Sequence, residues 1–337
     1  MQSTCGHSLY VTPFSVNITP IQVMSSRATS LMHAERCPDA MIDSDGVRLA
    51  VYREGNRHGP TLVFVHGYPD TAQVWDRLVA ELGVDYHCVR YDVRGAGRSD
   101  TPTRTSAYRL SCLESDLAAV IGWACPNGER VHLIGHDWGS IQSWEAATDP
   151  AMRDRLASYT SISGPCLDHI GQNLRAQWRG NRRALARQAR RSWYIALFQI
   201  PGLAEFGWSR LMAPRWPATL ARLEGQALPV ATTWAEDGRA GIRLYRANMW
   251  PRLAHPRKRF AVVPVHLIVA RRDPFVGQGL ARRALDWADS ITVTELDARH
   301  WVIETHAPAV AERIRQHITA LEAPDTQRRR TPHETAS

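Results

Sequence analysis

The five residues Gly135-His136-Asp137-Trp138-Gly139 constrain this chain more than any other feature. They follow a strand-like apolar run, Val131-His-Leu-Ile134. They open a stretch of helical character at 139–148 that stops at Asp149-Pro150. A strand that passes straight into a helix needs a sharp turn, and glycines flanking the central residue leave the backbone room to make it. The central side chain is then presented above the end of the strand, and here it is a carboxylate. A carboxylate can attack a saturated carbon and form an ester. Water must then cleave that ester, so the chemistry calls for a base and for donors that hold an oxyanion. The alternative is that Asp137 merely caps the helix it precedes, a position aspartate suits.

Strand-like segments recur along the chain at 47–52, Thr61–Val65, 86–91, 131–134, Leu156–Ile162, Val265–Ala270 and Ile291–Leu296. Helical patterns fall between them, including 279–288 and 307–321. This alternation predicts an α/β protein with a mostly parallel sheet covered on both faces. From about 164 to 264 no convincing buried strand occurs. That stretch carries Trp178, Trp193, Trp208, Trp216, Trp234 and Trp250, and it reads as a helical cap closing the crevice at the strand ends. The expected organisation is a flexible N-terminal extension at 1–42, a core at 43–163 and 264–322, a cap at 164–263 and a flexible tail at 323–337. Met32 and Met41 are both candidate translation starts.

With 337 residues, 44% hydrophobic and 22% charged, the chain has the make-up of a globular protein with a sizeable core. No apolar run approaches the roughly 18 residues a membrane span needs, and no secretory signal is recognisable at the N-terminus. The net charge of +8 is carried almost wholly by arginine, with Lys258 the only lysine. No nucleic-acid motif accompanies it, so a coding bias explains it better than a nucleic-acid partner. The arginine-rich run at 175–191 reads as a solvated helix face, with attraction of acidic or lipid-like substrates as the alternative. Six scattered cysteines, Cys5, Cys37, Cys88, Cys112, Cys125 and Cys166, form no C-x-x-C pair, which favours reduced thiols and a cytoplasmic setting. Oligomeric state is left open, with a homodimer as one option.

The turn at Asp137 resembles the nucleophile elbow of α/β-hydrolases, in which nucleophile, acid and histidine follow in that order. The resemblance implies the α/β-hydrolase fold: a mostly parallel eight-stranded sheet, with the cap inserted between strands six and seven. The base is then expected at His300, in the loop Asp297-Ala-Arg-His300-Trp301 after the last strand. His306 and His317 stand in helical or surface context. The acid is expected at Asp273, after the preceding strand, with Asp168 as runner-up. His66-Gly67-Tyr68-Pro69 follows the first buried strand. The backbone N–H groups of Tyr68 and Trp138 are expected to form the oxyanion hole. His66 is expected to tie down its loop.

Four sets of residues then resemble the epoxide hydrolases of this superfamily: His66-Gly-Tyr-Pro69; Asp92-x-Arg-Gly-x-Gly-x-Ser99; Gly135-His-Asp-Trp-Gly139; and Asp273 with His300-Trp301. The resemblance spans about 43–320. Haloalkane and fluoroacetate dehalogenases share these core motifs, so the cap decides. The family uses two cap tyrosines to bind the epoxide oxygen. Tyr194, ahead of Phe198-Gln-x-Pro-Gly-x-Ala-Glu205, matches the first, and Tyr245, in Tyr245-Arg246, resembles the second. Two phenols suit a poor leaving group such as a ring oxygen; ordinary cap packing is the alternative for both. Haloalkane dehalogenases usually carry Asn where Tyr68 stands, and fluoroacetate dehalogenases carry Arg where Trp138 stands. Ser140 departs from a glycine common after the elbow. Arg299 stands where a glycine usually precedes the histidine, so it could lower the pKa of His300 or point to solvent.

The resemblance thus implies hydrolysis of an epoxide, expected to be apolar, to a vicinal diol through an ester on Asp137, with no metal and no organic cofactor. A dehalogenase using the same aspartate and a catalytically silent binding protein are the rival readings.

Overall fold

A computed structural model describes residues 36–178 and 193–323. Most of the arginine-rich run at 175–191, residues 1–35 and residues 324–337 lie outside them. The core is one eight-stranded sheet in the order β1-β2-β4-β3-β5-β6-β7-β8. The strands are β1 Ala40–Ser44, β2 Val47–Gly55, β3 Thr61–Val65, β4 His87–Tyr91, β5 Val131–His136, β6 Leu156–Ile162, β7 Val265–Ala270 and β8 Ile291–Leu296. β1 and β2 pair antiparallel, as do β2 and β4. Every other pairing is parallel. All eight strands of the α/β-hydrolase fold are therefore present.

One strand differs from expectation. β1 begins at Ala40, inside the segment read as an extension. It is a half-exposed edge strand without a hydrophobic run. Asp45 and Gly46 join it to β2 in a two-residue turn in which both have positive φ, 53° and 76°. That is the signature of a tight hairpin.

Side-chain alternation along the strands assigns two core layers. Val63, Val65, Leu133, Val265 and Leu267 face one cluster, with Leu113 and Leu117 of helix α2 (Leu110–Ala124) and Trp144 of helix α3 (Trp138–Ala147). Leu62, Phe64, Ile134, Ile162 and Ile268 face the other. There they meet Leu78 and Leu82 of helix α1 (Asp76–Leu82) and Ile314 and Ile318 of the last helix, Ala307–Glu322.

Toward the N-terminal ends of the strands this second layer holds three buried histidines. His132 pairs with Ser158 at 2.8 Å, His266 pairs with Thr294 at 2.9 Å, and His317 stacks on His266 with ring centroids 4.8 Å apart. Burial pushes their pKa values down to about 4, about 3 and about 4 respectively, with mutual repulsion adding to it at His132 and His266. An unfolded chain takes up protons near pH 6.5 that the folded one refuses until well below. Stability therefore falls as pH drops below about 6.5, by on the order of 1 kcal/mol per pH unit for each histidine. Thermal unfolding followed from pH 7.5 to 5 is expected to show a steadily falling Tm, less steep in His317→Gln; a flat Tm would overturn this account.

Between β6 and β7 the described chain is helical: α4 Leu167–Trp178, α5 Trp193–Phe198, α6 Leu203–Gly207, α7 Trp216–Glu224 and α8 Trp234–Ala254. Both ends of this cap are pinned to α3. Glu145 receives Arg252, Arg257 and Arg259 at 2.9, 3.0 and 2.6 Å, and Asp168 receives Arg252 and Arg257 at 3.1 and 3.0 Å. Buried acids persist when so many donors surround them. Further along, Asn248 of α8 accepts the Leu110 N–H and donates to the Tyr108 carbonyl, and Asp237 accepts the Gly97 N–H. The long cap helix is thereby fixed against the core. Among the described residues no helix is long and apolar enough to cross a membrane.

Candidate active site

Parallel register brings the predicted residues to one edge of the sheet. Val65 at the end of β3 pairs with Gly135 of β5, so the loop carrying Tyr68 lies beside the turn at Asp137. Ala270 pairs with Leu296. Asp273 follows the first by three residues and His300 follows the second by four, so both leave the sheet at the same level.

Asp137 adopts φ 51°, ψ −121°, a strained conformation for a residue with a side chain. Close packing enforces it. A Cβ on Gly139 would lie 1.9 Å from the Val65 carbonyl oxygen, and one on Gly135 would lie 2.6 Å from Ser140 Cα. Ser140, the departure noted in the sequence, is buried. Its hydroxyl donates to the Gly164 carbonyl at 2.6 Å and lies 2.7 Å from the Tyr159 hydroxyl, which ties the end of β6 to the elbow.

Asp137 Oδ1 accepts the Tyr68 backbone N–H at 2.9 Å, and Oδ2 lies 3.5 Å from His300 Nε2. His300 Nδ1 meets Asp273 Oδ2 at 2.8 Å, while Asp273 Oδ1 accepts the N–H groups of Phe275 and Val276 at 2.8 and 2.9 Å. Burial alone would push the Asp273 carboxyl up. The His300 charge and hydrogen bonds outweigh it and hold this carboxyl below the usual range. For His300 burial would lower the pKa, but Asp273 on one side and Asp137 on the other hold it well above the ordinary histidine value. His300 thus stands between two carboxyl groups that both favour its protonated form.

Arg299 does not set that balance. Its guanidinium donates to the carbonyls of Arg222 and Leu223 at the end of α7, where a cation satisfies terminal carbonyl groups. The expectation that it lowers the pKa of His300 is therefore overturned, because two carboxylates flank the ring. Asp168 belongs to the Glu145 cluster, not to His300. His306 pairs with Thr305, and His317 lies in the core. His66 accepts the Val93 N–H at 2.9 Å, and its Nδ1 faces the Gly67 carbonyl at 2.9 Å. Burial lowers its pKa, so it stays neutral and ties its loop.

Above Asp137 stand the two cap tyrosines, with ring centroids 6.0 Å apart. Tyr245 packs edge-on against Trp138 at 4.8 Å and against Tyr68 at 5.4 Å. Burial, reinforced by the Asp137 charge, raises both phenol pKa values, so both keep their protons. The run from Phe198 to Glu205 holds this pair. Gln199 donates to the Tyr245 carbonyl at 3.4 Å, and Glu205 binds Arg246 through two hydrogen bonds of 2.8 and 3.3 Å.

The sequence reading missed three contributors. His136 Nε2 donates to the His300 carbonyl at 2.9 Å, with the rings 4.9 Å apart. Phe275 lies 4.9 Å from His300 and 6.3 Å from Tyr194, and Phe198 packs on both tyrosines at 5.7 and 4.9 Å. For His136 the only signal in the sequence was its place next to Asp137. Among the described residues no cluster suited to a metal ion occurs.

Known proteins agree with this architecture. The family model described as the alpha/beta hydrolase fold matches residues 60–307. A protein of Mycobacterium tuberculosis (strain ATCC 25618 / H37Rv) named probable oxidoreductase EphD is 37% identical over 299 residues, covering 84% of this chain and 50% of the relative. Epoxide hydrolase A of the same strain is 32% identical over 168 residues, 50% of this chain and 49% of that protein. The chain therefore spans about half the length of these curated relatives. Among solved structures, the Bacillus megaterium epoxide hydrolase in complex with an inhibitor superimposes with a TM-score of 0.66 at 20% identity, over 83% of this chain and 100% of its own. With the elbow, the sheet order and a family match over most of its length in agreement, the chain belongs to the alpha/beta hydrolase fold family.

Proposed function

We propose that this chain hydrolyses epoxides to vicinal diols. The observation that carries the reading is the pair Tyr194 and Tyr245, both protonated, standing over a carboxylate whose other oxygen is held by a backbone N–H. Asp137 attacks a ring carbon, the carbon–oxygen bond of the epoxide breaks, and one phenol hands its proton to the departing alkoxide. The Asp137 charge disappears into the ester. One of the two carboxylates that raise the His300 pKa is then gone, so the imidazolium gives its proton through solvent to the phenolate and becomes a base.

His300 then takes a proton from water, and hydroxide adds to the ester carbonyl carbon. The N–H groups of Tyr68 and Trp138 are the proposed donors to the resulting oxyanion. On collapse the diol oxygen leaves with the proton from His300, and the acid form of Asp137 returns a proton to His300, which lies 3.5 Å away, so the starting state is restored. Asp273 orients the imidazole throughout. No metal and no organic cofactor enters any step. The substrate is read as apolar from the aromatic rings beside the reacting groups, Phe198 on both tyrosines and Phe275 on Tyr194 and His300.

The discriminating experiment assays the purified chain against epoxides and haloalkanes together, reading diol and halide. Diol formation that falls by about 10- to 100-fold in Tyr194→Phe is expected, since the phenol acts on the leaving oxygen. Halide release without diol, unaffected by Tyr194→Phe, would replace this reading with a dehalogenase. Turnover of neither class would leave a silent binding protein.

A further inference from the structure

Building on the epoxide reading above, we infer that the side-chain hydroxyl of Tyr68 is a specificity-determining group that pairs with an oxygen substituent carried beside the epoxide ring. The backbone of Tyr68 already serves Asp137, which leaves its phenol without an assigned purpose. The hydroxyl oxygen is buried and has no hydrogen-bond partner, an exception among buried polar groups.

The ring that carries it is held from several sides. A Cβ on Gly241 of α8 would lie 2.5 Å from Tyr68 Cδ2, so the glycine lets the ring lie directly against the helix. Tyr245, Trp208 and Phe198 enclose it at 5.4, 5.6 and 6.0 Å between centroids. The hydroxyl is therefore fixed in place before any substrate arrives. Burial keeps the phenol protonated, the Asp137 charge adds to this, and the Tyr68 backbone bonds Asp137 itself, so the ring borders the reacting site. A fixed polar group of this kind penalises a substrate that leaves it unpaired and favours one that supplies a partner. Simple alkyl epoxides leave it unpaired, whereas 2,3-epoxy alcohols do not.

Tyr68 also borders a cavity of about 20 Å³ lined by Gln142 and Asp237, large enough for one water molecule. A hydroxyl paired only to such a water would have a structural role, and the following test separates the two. The intact chain and its Tyr68→Phe variant are assayed with trans-2,3-epoxyoctan-1-ol and with trans-2,3-epoxyoctane, which differ by one hydroxyl. The native protein is expected to favour the epoxy alcohol in kcat/KM by tenfold or more, and Tyr68→Phe to bring that ratio close to one. A native ratio near one overturns the inference and leaves the epoxide reading standing. A variant that preserves the native ratio, whatever its absolute rates, overturns it too and marks the hydroxyl as structural. Turnover of neither epoxide overturns the inference together with the reading on which it rests. Thermal melts of both proteins show whether the variant is folded, and Tyr68→Trp, which also lacks the hydroxyl, must lose the ratio in the same way.

Discussion

Replacing Asp137 by alanine is expected to abolish diol formation, a loss on the order of 10⁴-fold or more, because no other group can form the ester. The carboxylate is held for attack: one oxygen accepts the Tyr68 N–H at 2.9 Å and the other faces His300 at 3.5 Å. Alanine would retain the positive φ of 51° with its strain and leave the Tyr68 N–H without its acceptor. Asp137→Asn, which keeps an acceptor there, separates lost chemistry from lost folding. Both variants are checked by epoxide turnover alongside a thermal melt, and a folded variant that still turns over at the native rate sinks the nucleophile assignment. The same step makes a prediction about oxygen. A single turnover in ¹⁸O-water should place the label in the peptide containing Asp137 and not in the diol, because water attacks the ester carbonyl carbon.

The second large effect concerns the base. His300→Gln is expected to form the ester and then stall, so intact mass rises by the mass of the added epoxide, with steady-state turnover lower by about 10³-fold. Glutamine can still donate toward Asp273, which keeps its bonds to the Phe275 and Val276 N–H groups, so the loop should persist. In the native protein the raised His300 pKa has a sign that can be checked. The imidazolium between its two carboxylates stabilises the fold at low pH, and this contribution is lost as pH rises through the raised pKa. That trend opposes the acid sensitivity of the buried histidines, so Asp273→Asn should weaken it while the falling Tm between about pH 6.5 and 5 set by His132, His266 and His317 persists. A His300→Gln protein that shows no added mass and turns over normally would remove His300 from the second step.

Much of the core was legible because its strands are short apolar segments, most of them buried on both faces, with the half-exposed Ile291–Leu296 marked by alternation instead. Thr61–Val65, Leu156–Ile162, Val265–Ala270 and Ile291–Leu296 occur in the structure with the limits the pattern implies. β1 was not legible as a strand, since an exposed edge strand has no need of a hydrophobic run, although the Asp45-Gly46 turn was a local clue. The helix expected at 279–288 divides into α9, Gln278–Ala281, and a 3₁₀ segment, Arg282–Trp287. A short exposed connector has little packing to impose a single helical form.

The strained turn that presents the proposed attacking group was written into the chain itself. Two glycines around an aspartate at the end of an apolar strand permit one local geometry, and that geometry follows from the clash each added Cβ would meet. Distances between remote side chains belong to the fold alone. Parallel register sets Asp273 and His300 side by side, and the Glu145 cluster holds the cap that brings Tyr194 and Tyr245 over Asp137. The charge state of His300 shows the difference most clearly. Along the chain its neighbour is Arg299, which argues for a lowered pKa, whereas in space its neighbours are two carboxylates and the pKa rises. Electrostatic interaction depends on separation in space and not along the chain, so only the folded arrangement could decide its sign.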